Sequence, residues 1–97
     1  MNRITDAEIN ILNIIFEEPL TIKEIVLKTG KNISTVKTLV YRLVKKGIIG
    51  CDRYNNPYRY FSNVKKNEIL LEKINQLVNN FFDGDIKEFK NYINGKY

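Results

Sequence analysis

The segment 33–46 gives the strongest helical pattern in the sequence. Five apolar residues recur there at i, i+3, i+4, i+7 and i+8, a spacing that gathers side chains on one face of an α-helix. They are Val36, Leu39, Val40, Leu43 and Val44. Upstream, Gly30 can take the left-handed conformation that closes a helix, and either Asn32 or Ser34 can cap the next one. Two helices joined by so short a glycine turn predict a helix-turn-helix.

Two capping patterns upstream predict where two helices begin. Thr5–Glu8 and Thr21–Glu24 each match the capping box, in which the first and fourth residues hydrogen-bond to each other's backbone amides. The first helix, predicted over residues 5–18, is apolar around most of its circumference, so we expect it at the centre of the core. Pro19 should end this helix, because proline cannot continue the hydrogen-bond ladder.

A β-hairpin is predicted after the third helix. Two stretches rich in β-forming residues, 48–54 and 58–62, flank the turn-forming sequence Asn55-Asn56-Pro57. Three helices followed by such a hairpin are typical of a winged helix-turn-helix. The predicted fold class is therefore mainly α with a small β-hairpin, and residues 1–65 are assigned to a winged-helix DNA-binding domain.

Residues 66–97 predict two further helices, separated by Asp83-Gly84-Asp85. Their apolar faces are wide, whereas the core of the first domain is already filled by three helices and a hairpin. We therefore expect them to serve as C-terminal dimerisation helices that pair with those of a second copy of the chain. The predicted dimerisation residues are Leu70, Ile74, Leu77, Val78, Phe81, Phe82, Ile86 and Phe89.

The composition argues against catalysis. Histidine is absent and cysteine occurs once, at Cys51, which we interpret as a small apolar strand residue. Neither a nucleophile–base pair nor a metal cluster can be built from so few of these residues, so we expect no enzyme activity, no cofactor and no metal site. Because no apolar stretch approaches the ~20 residues that span a bilayer, and no secretory signal is evident, the expectation is a soluble cytoplasmic protein without membrane contact.

Positive charge is concentrated in the middle of the sequence. Residues 28–66 contain ten Lys or Arg and one acid, a net charge of +9, whereas residues 1–27 sum to −3 and residues 67–97 to −1. A solubilising charge would be interspersed in sign. A block of one sign instead indicates a surface for a polyanion.

The outward face of the third helix combines hydroxyls with cations and carries no acid, which suits the major groove of double-stranded DNA. The predicted DNA-binding residues are Ser34, Thr35, Lys37, Thr38, Arg42 and Lys45 on the recognition helix 33–46, with Arg53, Asn55 and Arg59 on the wing 53–59. Base readout is expected from Thr35, Lys37 and Thr38. Phosphate contacts are expected from Arg42, Lys45, Arg53 and Arg59.

From Ile4 to about Ile93 the chain resembles the penicillinase-repressor family of bacterial winged-helix regulators, the BlaI/MecI type. The most specific stretch is Ser34–Ile49, STVKTLVYRLVKKGII, and Ile4–Glu8, Leu12–Ile15 and Phe82–Gly84 support it. The resemblance implies a homodimeric transcriptional repressor on a palindromic operator. The family's recognition-helix positions match Ser34, Thr35, Lys37, Thr38 and Arg42, and its wing matches Arg53 to Arg59.

The resemblance also bears on regulation. Antibiotic-responsive members are induced by cleavage after an asparagine that precedes an aromatic residue, which implies a sensor-linked protease as a partner. Asn91-Tyr92 and Asn80-Phe81 are the matching pairs. The cysteine cluster of copper-responsive relatives is missing, so copper sensing is not expected.

Two alternatives stay open from the sequence. A winged-helix adaptor would bind protein instead of DNA, and it would show an exposed apolar patch on the third helix or the wing. A DNA-binding activator of the same fold would have the same sequence features as a repressor.

Overall fold

Residues 4–95 are described by the computed structural model, and they divide into two units between Lys65 and Lys66. The first unit contains α1 (Asp6–Ile15), α2 (Ile22–Thr29), α3 (Ile33–Lys45), β1 (Ile49–Asp52) and β2 (Arg59–Ser62). The second contains α4 (Lys66–Phe82) and α5 (Ile86–Ile93). The predicted fold class, mainly α with one small hairpin, is confirmed.

Both predicted capping boxes are present. Thr5 Oγ1 accepts a hydrogen bond from the Glu8 amide at 3.2 Å, and Glu8 Oε1 accepts one from the Thr5 amide at 2.9 Å. Thr21 and Glu24 repeat the arrangement with the same two distances. Each box satisfies two backbone groups at a helix N-terminus, so the starts of α1 and α2 are set by local sequence.

The first helix is shorter than predicted, because α1 ends at Ile15 and not at Glu18. A proline ring would collide with the carbonyl of the residue four positions earlier, which for Pro19 is Ile15, so the chain leaves the helix before the proline. The segment then turns, and buried Leu20 exchanges two backbone hydrogen bonds with Tyr60 of β2, at 3.0 and 2.7 Å. This bridge ties the α1–α2 connection to the hairpin.

The aliphatic face of α3 packs into the core of the first unit, where α3 contacts both α1 and α2. Val36, Leu39, Val40 and Leu43 are buried, and Val44 is partly buried. The other buried apolar residues of this unit are Ile4, Ile11, Leu12, Ile15, Leu20, Ile25, Ile48 and Ile49. The stripe read from the sequence therefore faces inward along the helix.

The two strands pair antiparallel, with Ile49 opposite Ser62 and Asp52 opposite Arg59. They are shorter than predicted because the Asp52 carboxylate turns the chain. One Asp52 oxygen accepts from the Tyr54 amide at 3.0 Å, and the other accepts from Asn55 Nδ2 at 2.7 Å. Such side-chain bonds to nearby donors favour a turn over a continued strand.

In the second unit, α4 and α5 are joined by a tight turn in which Asp83 and Gly84 both have positive φ, at 50° and 80°. Asp85 caps α5 by accepting from the amides of Lys87 and Glu88. The Phe82 ring lies 5.7 Å from that of Phe89, between ring centroids, so the two helices pack on each other. Among the described residues, no helix is both long and apolar enough to cross a bilayer.

A buried ion pair joins the start of α1 to the end of α3. The Glu8 side chain is fully buried, and Lys46 Nζ donates to both of its carboxylate oxygens, at 2.7 and 2.9 Å. Burial alone would raise the pKa of Glu8, but the hydrogen bonds from Lys46 and Thr5 outweigh it and hold that pKa below its ordinary value of 4.5. The carboxylate therefore stays charged at neutral pH.

Replacing Lys46 by Met keeps the aliphatic stem but leaves the Glu8 charge without its cation. We expect the free energy of unfolding to fall by about 2–3 kcal/mol in urea titrations at neutral pH, somewhat below a fully buried pair because Lys46 is partly exposed. Lys37→Met, at an exposed position of α3, is the matched control and should change it by less than about 0.5 kcal/mol. Equal losses in the two variants would contradict this role.

The Glu8–Lys46 pair also makes the stability of the fold depend on pH in the acid range. The pKa of Glu8 is lower in the folded state than in the unfolded chain, where it is 4.5. The contribution of Glu8 to the free energy of unfolding is therefore complete above pH 4.5 and is lost as the pH falls through the folded pKa. The Lys46→Met variant should therefore lose less stability than the parent chain between neutral pH and about pH 3.

Candidate nucleic-acid interface

The outward face of α3 is exposed along its length. Ser34, Thr35, Lys37, Thr38, Arg42 and Lys45 all lie on it with exposed side chains. The sequence of α3, ISTVKTLVYRLVK, contains no carboxylate that would repel a phosphate. The structure thus brings the six helix residues predicted for DNA contact onto one accessible surface.

Hydrogen bonding decides what Thr38 can offer a ligand. Thr38 Oγ1 donates to the carbonyl oxygen of Ser34 at 3.0 Å, so its proton is used within the helix. A hydroxyl has one proton but two acceptor lone pairs. Thr38 therefore presents an acceptor oxygen and a methyl group, which suit an exocyclic amine and a thymine methyl in a major groove.

The start of α3 is fixed by Asn32, which settles an alternative left open by the sequence. Asn32 Oδ1 accepts from the Thr35 amide at 2.8 Å, so Asn32 and not Ser34 is the cap. Gly30 has φ 70° and ends α2 in the left-handed conformation that glycine takes without strain. These two residues define the turn that leads into the exposed face.

The wing divides the predicted residues into two kinds. Arg53 and Asn55 are exposed, and the Asp52 turn described above holds Asn55 in place. Arg59 instead turns toward the helices, where its Nη1 lies 3.1 Å from Glu24 Oε1 and 3.4 Å from the carbonyl oxygen of Pro19. Arg59 thus makes contacts within the chain through Nη1, while its side chain stays 43% exposed.

The Glu24 carboxylate serves two partners at once. The backbone amide of Thr21 lowers the pKa of Glu24 most strongly, and the Thr21 hydroxyl and the Arg59 guanidinium lower it further against the effect of burial. One side chain therefore caps α2 and holds the first residue of β2. The sequence signalled only the cap, because Glu24 and Arg59 are 35 positions apart.

The local charge excess is smaller than the sequence count suggests. Lys46 and Arg59 belong to the block 28–66, yet each faces an acid from the first 27 residues, Glu8 and Glu24. Adding these two acids to the block reduces +9 to +7. The remaining excess includes the exposed cations of α3 and the wing.

Most of the predicted dimerisation residues are accessible in the second unit. Leu70, Ile74, Leu77 and Phe81 follow one another on α4 at intervals of four, three and four, and all are exposed, Phe81 by 77%. Ile86 is exposed, whereas Phe82 and Phe89 are partly buried. Val78 is only 4% exposed within the single chain, so it contributes little to this exposed apolar face. Leu71 and Tyr92 are also exposed, and neither is among the predicted dimerisation residues.

A cavity of about 480 Å³ opens in the same surface. It is lined by Leu77, Phe81, Phe82, Phe89, Tyr92 and Ile93, so α4 and α5 both contribute apolar walls. Their side chains leave a depression that a complementary apolar side chain could fill.

Three helices, the third with an exposed face free of acids, and a wing define a winged-helix DNA-binding protein. Residues 4–92 match the family described as Penicillinase repressor, and the chain belongs to the penicillinase repressor family.

Similar curated proteins carry the names of that family. The penicillinase repressor of Staphylococcus aureus is 34% identical over 89 residues, which cover 87% of this chain and 71% of that protein. The methicillin resistance regulatory protein MecI of Mammaliicoccus sciuri is 29% identical over 86 residues, covering 84% and 70%. The penicillinase repressor of Bacillus licheniformis is 22% identical over 89 residues, covering 87% and 70%.

Solved structures confirm the fold. A MarR family protein from Bacillus stearothermophilus is similar with a TM-score of 0.61 and 23% identity, covering 97% of this chain and 73% of that one. A mutant of Lactococcus lactis ZitR is similar with a TM-score of 0.59 and 18% identity, covering 96% and 73%.

Removing the Asn32 cap should weaken α3 at its first turn. We expect Asn32→Ala to lower the free energy of unfolding by about 1 kcal/mol, because the Thr35 amide loses its acceptor. Ser34→Ala, two residues further on, is the control and should change it by less than about 0.5 kcal/mol. Chemical denaturation of both variants provides the measurement. A larger loss of stability for Ser34→Ala than for Asn32→Ala would contradict the assignment of Asn32 as the cap.

Proposed function

We propose that this DNA-binding transcriptional repressor acts as a homodimer on a palindromic operator. The observation that carries the proposal is the exposed, acid-free face of α3, in a chain of the penicillinase repressor family. A symmetric dimer presents two such helices to successive major grooves, so the operator mirrors the symmetry of the protein. DNA binding requires no reaction chemistry, so we propose no enzyme activity. A repressor works where the chromosome is, which places its action in the cytoplasm.

The exposed residues of α3 are proposed to share two tasks. Thr35, Lys37 and Thr38 read bases, since hydroxyl and ammonium groups match donor and acceptor positions in the major groove. Arg42 and Lys45, further along the helix, hold phosphates. Lys45 Nζ lies 5.5 Å from the centre of the Tyr41 ring, which limits where the ammonium can point.

The wing residues are proposed to act beside the helix. Arg53 and Asn55 contact the DNA backbone. Because Arg59 is paired with Glu24, we assign it to positioning the wing and no longer to a phosphate. A protein-binding adaptor is less well supported than DNA binding, because hydroxyls and cations dominate the exposed face of α3.

The dimer is proposed to form through residues 66–97, with the exposed apolar face of α4 as its centre. Leu70, Ile74, Leu77 and Phe81 would then be buried against the partner, together with Ile86. Apolar area removed from water stabilises such an interface by roughly 25 cal/mol per Å².

Regulated cleavage is implied by the family resemblance alone. Asn80-Phe81 lies within α4, and Asn91-Tyr92 lies within α5. A helix must unwind before its backbone can enter a protease as an extended strand. Cutting at either pair would therefore require local unfolding, and a sensor-linked protease would have to recognise that open form.

Substitutions should separate base readout from phosphate contact. Lys37→Ala and Thr38→Ala should each reduce discrimination between operator and random DNA by about 1–3 kcal/mol. Arg53→Ala should weaken binding to all DNA alike and lower the salt slope by about one unit. Fluorescence anisotropy over a salt series measures both quantities. The same pattern in all three variants would refute the division of roles.

A charge on the apolar face of α4 should break the dimer without unfolding the chain. Phe81→Asp places a carboxylate at a position already exposed in the single chain, so the fold of the single chain should be unaffected. The dimer dissociation constant should rise about 100-fold, because the charge would be buried at the interface. Asn75→Asp adds the same charge at an exposed position off this face and should change it little. Analytical ultracentrifugation checks both, and an unchanged dimer in Phe81→Asp would rule out this interface.

A further inference from the structure

A cavity of about 370 Å³ lies between the recognition helix and the hairpin, entirely within the first unit. Its apolar wall is formed by Ile22 of α2 with Val40 and Val44 of α3. Small-molecule sites typically enclose ~300–1,000 Å³ and are lined mainly by apolar and aromatic groups. The cavity therefore has room for a ligand of about one fused ring system.

The opposite wall comes from the hairpin and is polar as well as aromatic. Cys51 and Tyr60 are paired across the two strands, and both line the cavity with Tyr58. Burial raises the pKa of the Tyr60 phenol, and the neighbouring Cys51 raises it further. The phenol therefore keeps its proton at neutral pH and adds a hydroxyl to this aromatic wall.

The charged residues that line the cavity are both cations. They are Lys37 and Arg53, and a second cavity of about 410 Å³ shares Lys37, Tyr58 and Tyr60 with the first and adds Lys23. Among the residues that line the two cavities there are three cations and no carboxylate. An anionic ligand would be attracted there, and a cationic one repelled.

We infer that this cavity binds a small aromatic carboxylate and that its occupation releases the repressor from DNA. The ring packs against Val40, Val44 and the tyrosine rings, and the carboxylate pairs with Lys37 and Arg53. Release rests on the proposed function, because the same two cations are assigned to DNA there. Lys37 paired with the ligand is no longer available to a base, nor Arg53 to a phosphate, so ligand and operator compete.

Cys51 allows binding to be measured without DNA. It is the only cysteine in the sequence and it lines the cavity, so its alkylation by iodoacetamide reports occupancy at one site by mass spectrometry. The probes are 2-naphthoate and 2-naphthylmethylamine, which have the same ring system and opposite charges. Naphthoate should slow alkylation at least 5-fold, and the amine should not. Equal protection by both probes, or protection by neither, would overturn the proposed site.

Two arginine variants separate the cavity from the DNA surface. Arg53→Gln should raise the dissociation constant of naphthoate about 10-fold, whereas Arg42→Gln, on α3 but outside the cavity, should leave it unchanged. A similar effect in both variants would overturn the cavity assignment. Circular dichroism confirms that both variants fold.

Competition is tested last, by anisotropy of labelled operator. Naphthoate should weaken operator binding of the parent chain at least 5-fold at constant ionic strength, with the amine as control. Unchanged operator binding in a chain whose Cys51 is protected would overturn the release step. If the chain bound no DNA at all, Arg53-dependent protection of Cys51 by naphthoate would still support the site while the proposed function failed.

Discussion

The structure depends above all on the burial of one aliphatic stripe of α3. Val36, Leu39, Val40 and Leu43 must leave water, and only one face of the helix can do so. Burying each such side chain stabilises the fold by about 1.5–3 kcal/mol, which outweighs any preference of the helix for another rotation. The hydroxyls and cations are therefore turned outward by the same packing that forms the core. The candidate DNA surface follows directly from hydrophobic burial.

Local signals made much of this architecture predictable. The capping boxes at Thr5 and Thr21 and the left-handed Gly30 act over three or four residues, so sequence order alone reveals them. The pairs Glu8–Lys46 and Glu24–Arg59 span 38 and 35 positions, and they exist only once the helices have packed. Charge counting along the chain consequently overstated the net positive charge of the block 28–66, because it could not include the two acids that pair with Lys46 and Arg59.

In the second unit, the sequence could not predict which apolar residues are buried within the single chain. Periodicity identified the apolar residues of α4 but could not tell which of them the chain buries by itself. Val78 is buried, whereas Phe81, three positions later, is exposed. Helical spacing assigns residues to faces, but only packing decides which face is already occupied. The residual exposed face is what a second copy of the chain could cover.

The acids of the first unit are distributed in a way that preserves the DNA surface. Lys46 and Arg59 need anionic partners to hold α3 and the wing in place, and those partners lie on α1 and α2. A carboxylate on the outward face of α3 could pair with a lysine equally well, but it would also repel each phosphate within a Debye length of about 8–10 Å. Placing Glu8 in the interior and Glu24 at the start of α2 provides the structural ion pairs without that repulsion. The ion pairs Glu8–Lys46 and Glu24–Arg59 thus stabilise the domain, whereas the cations on the outward face of α3 attract a polyanion.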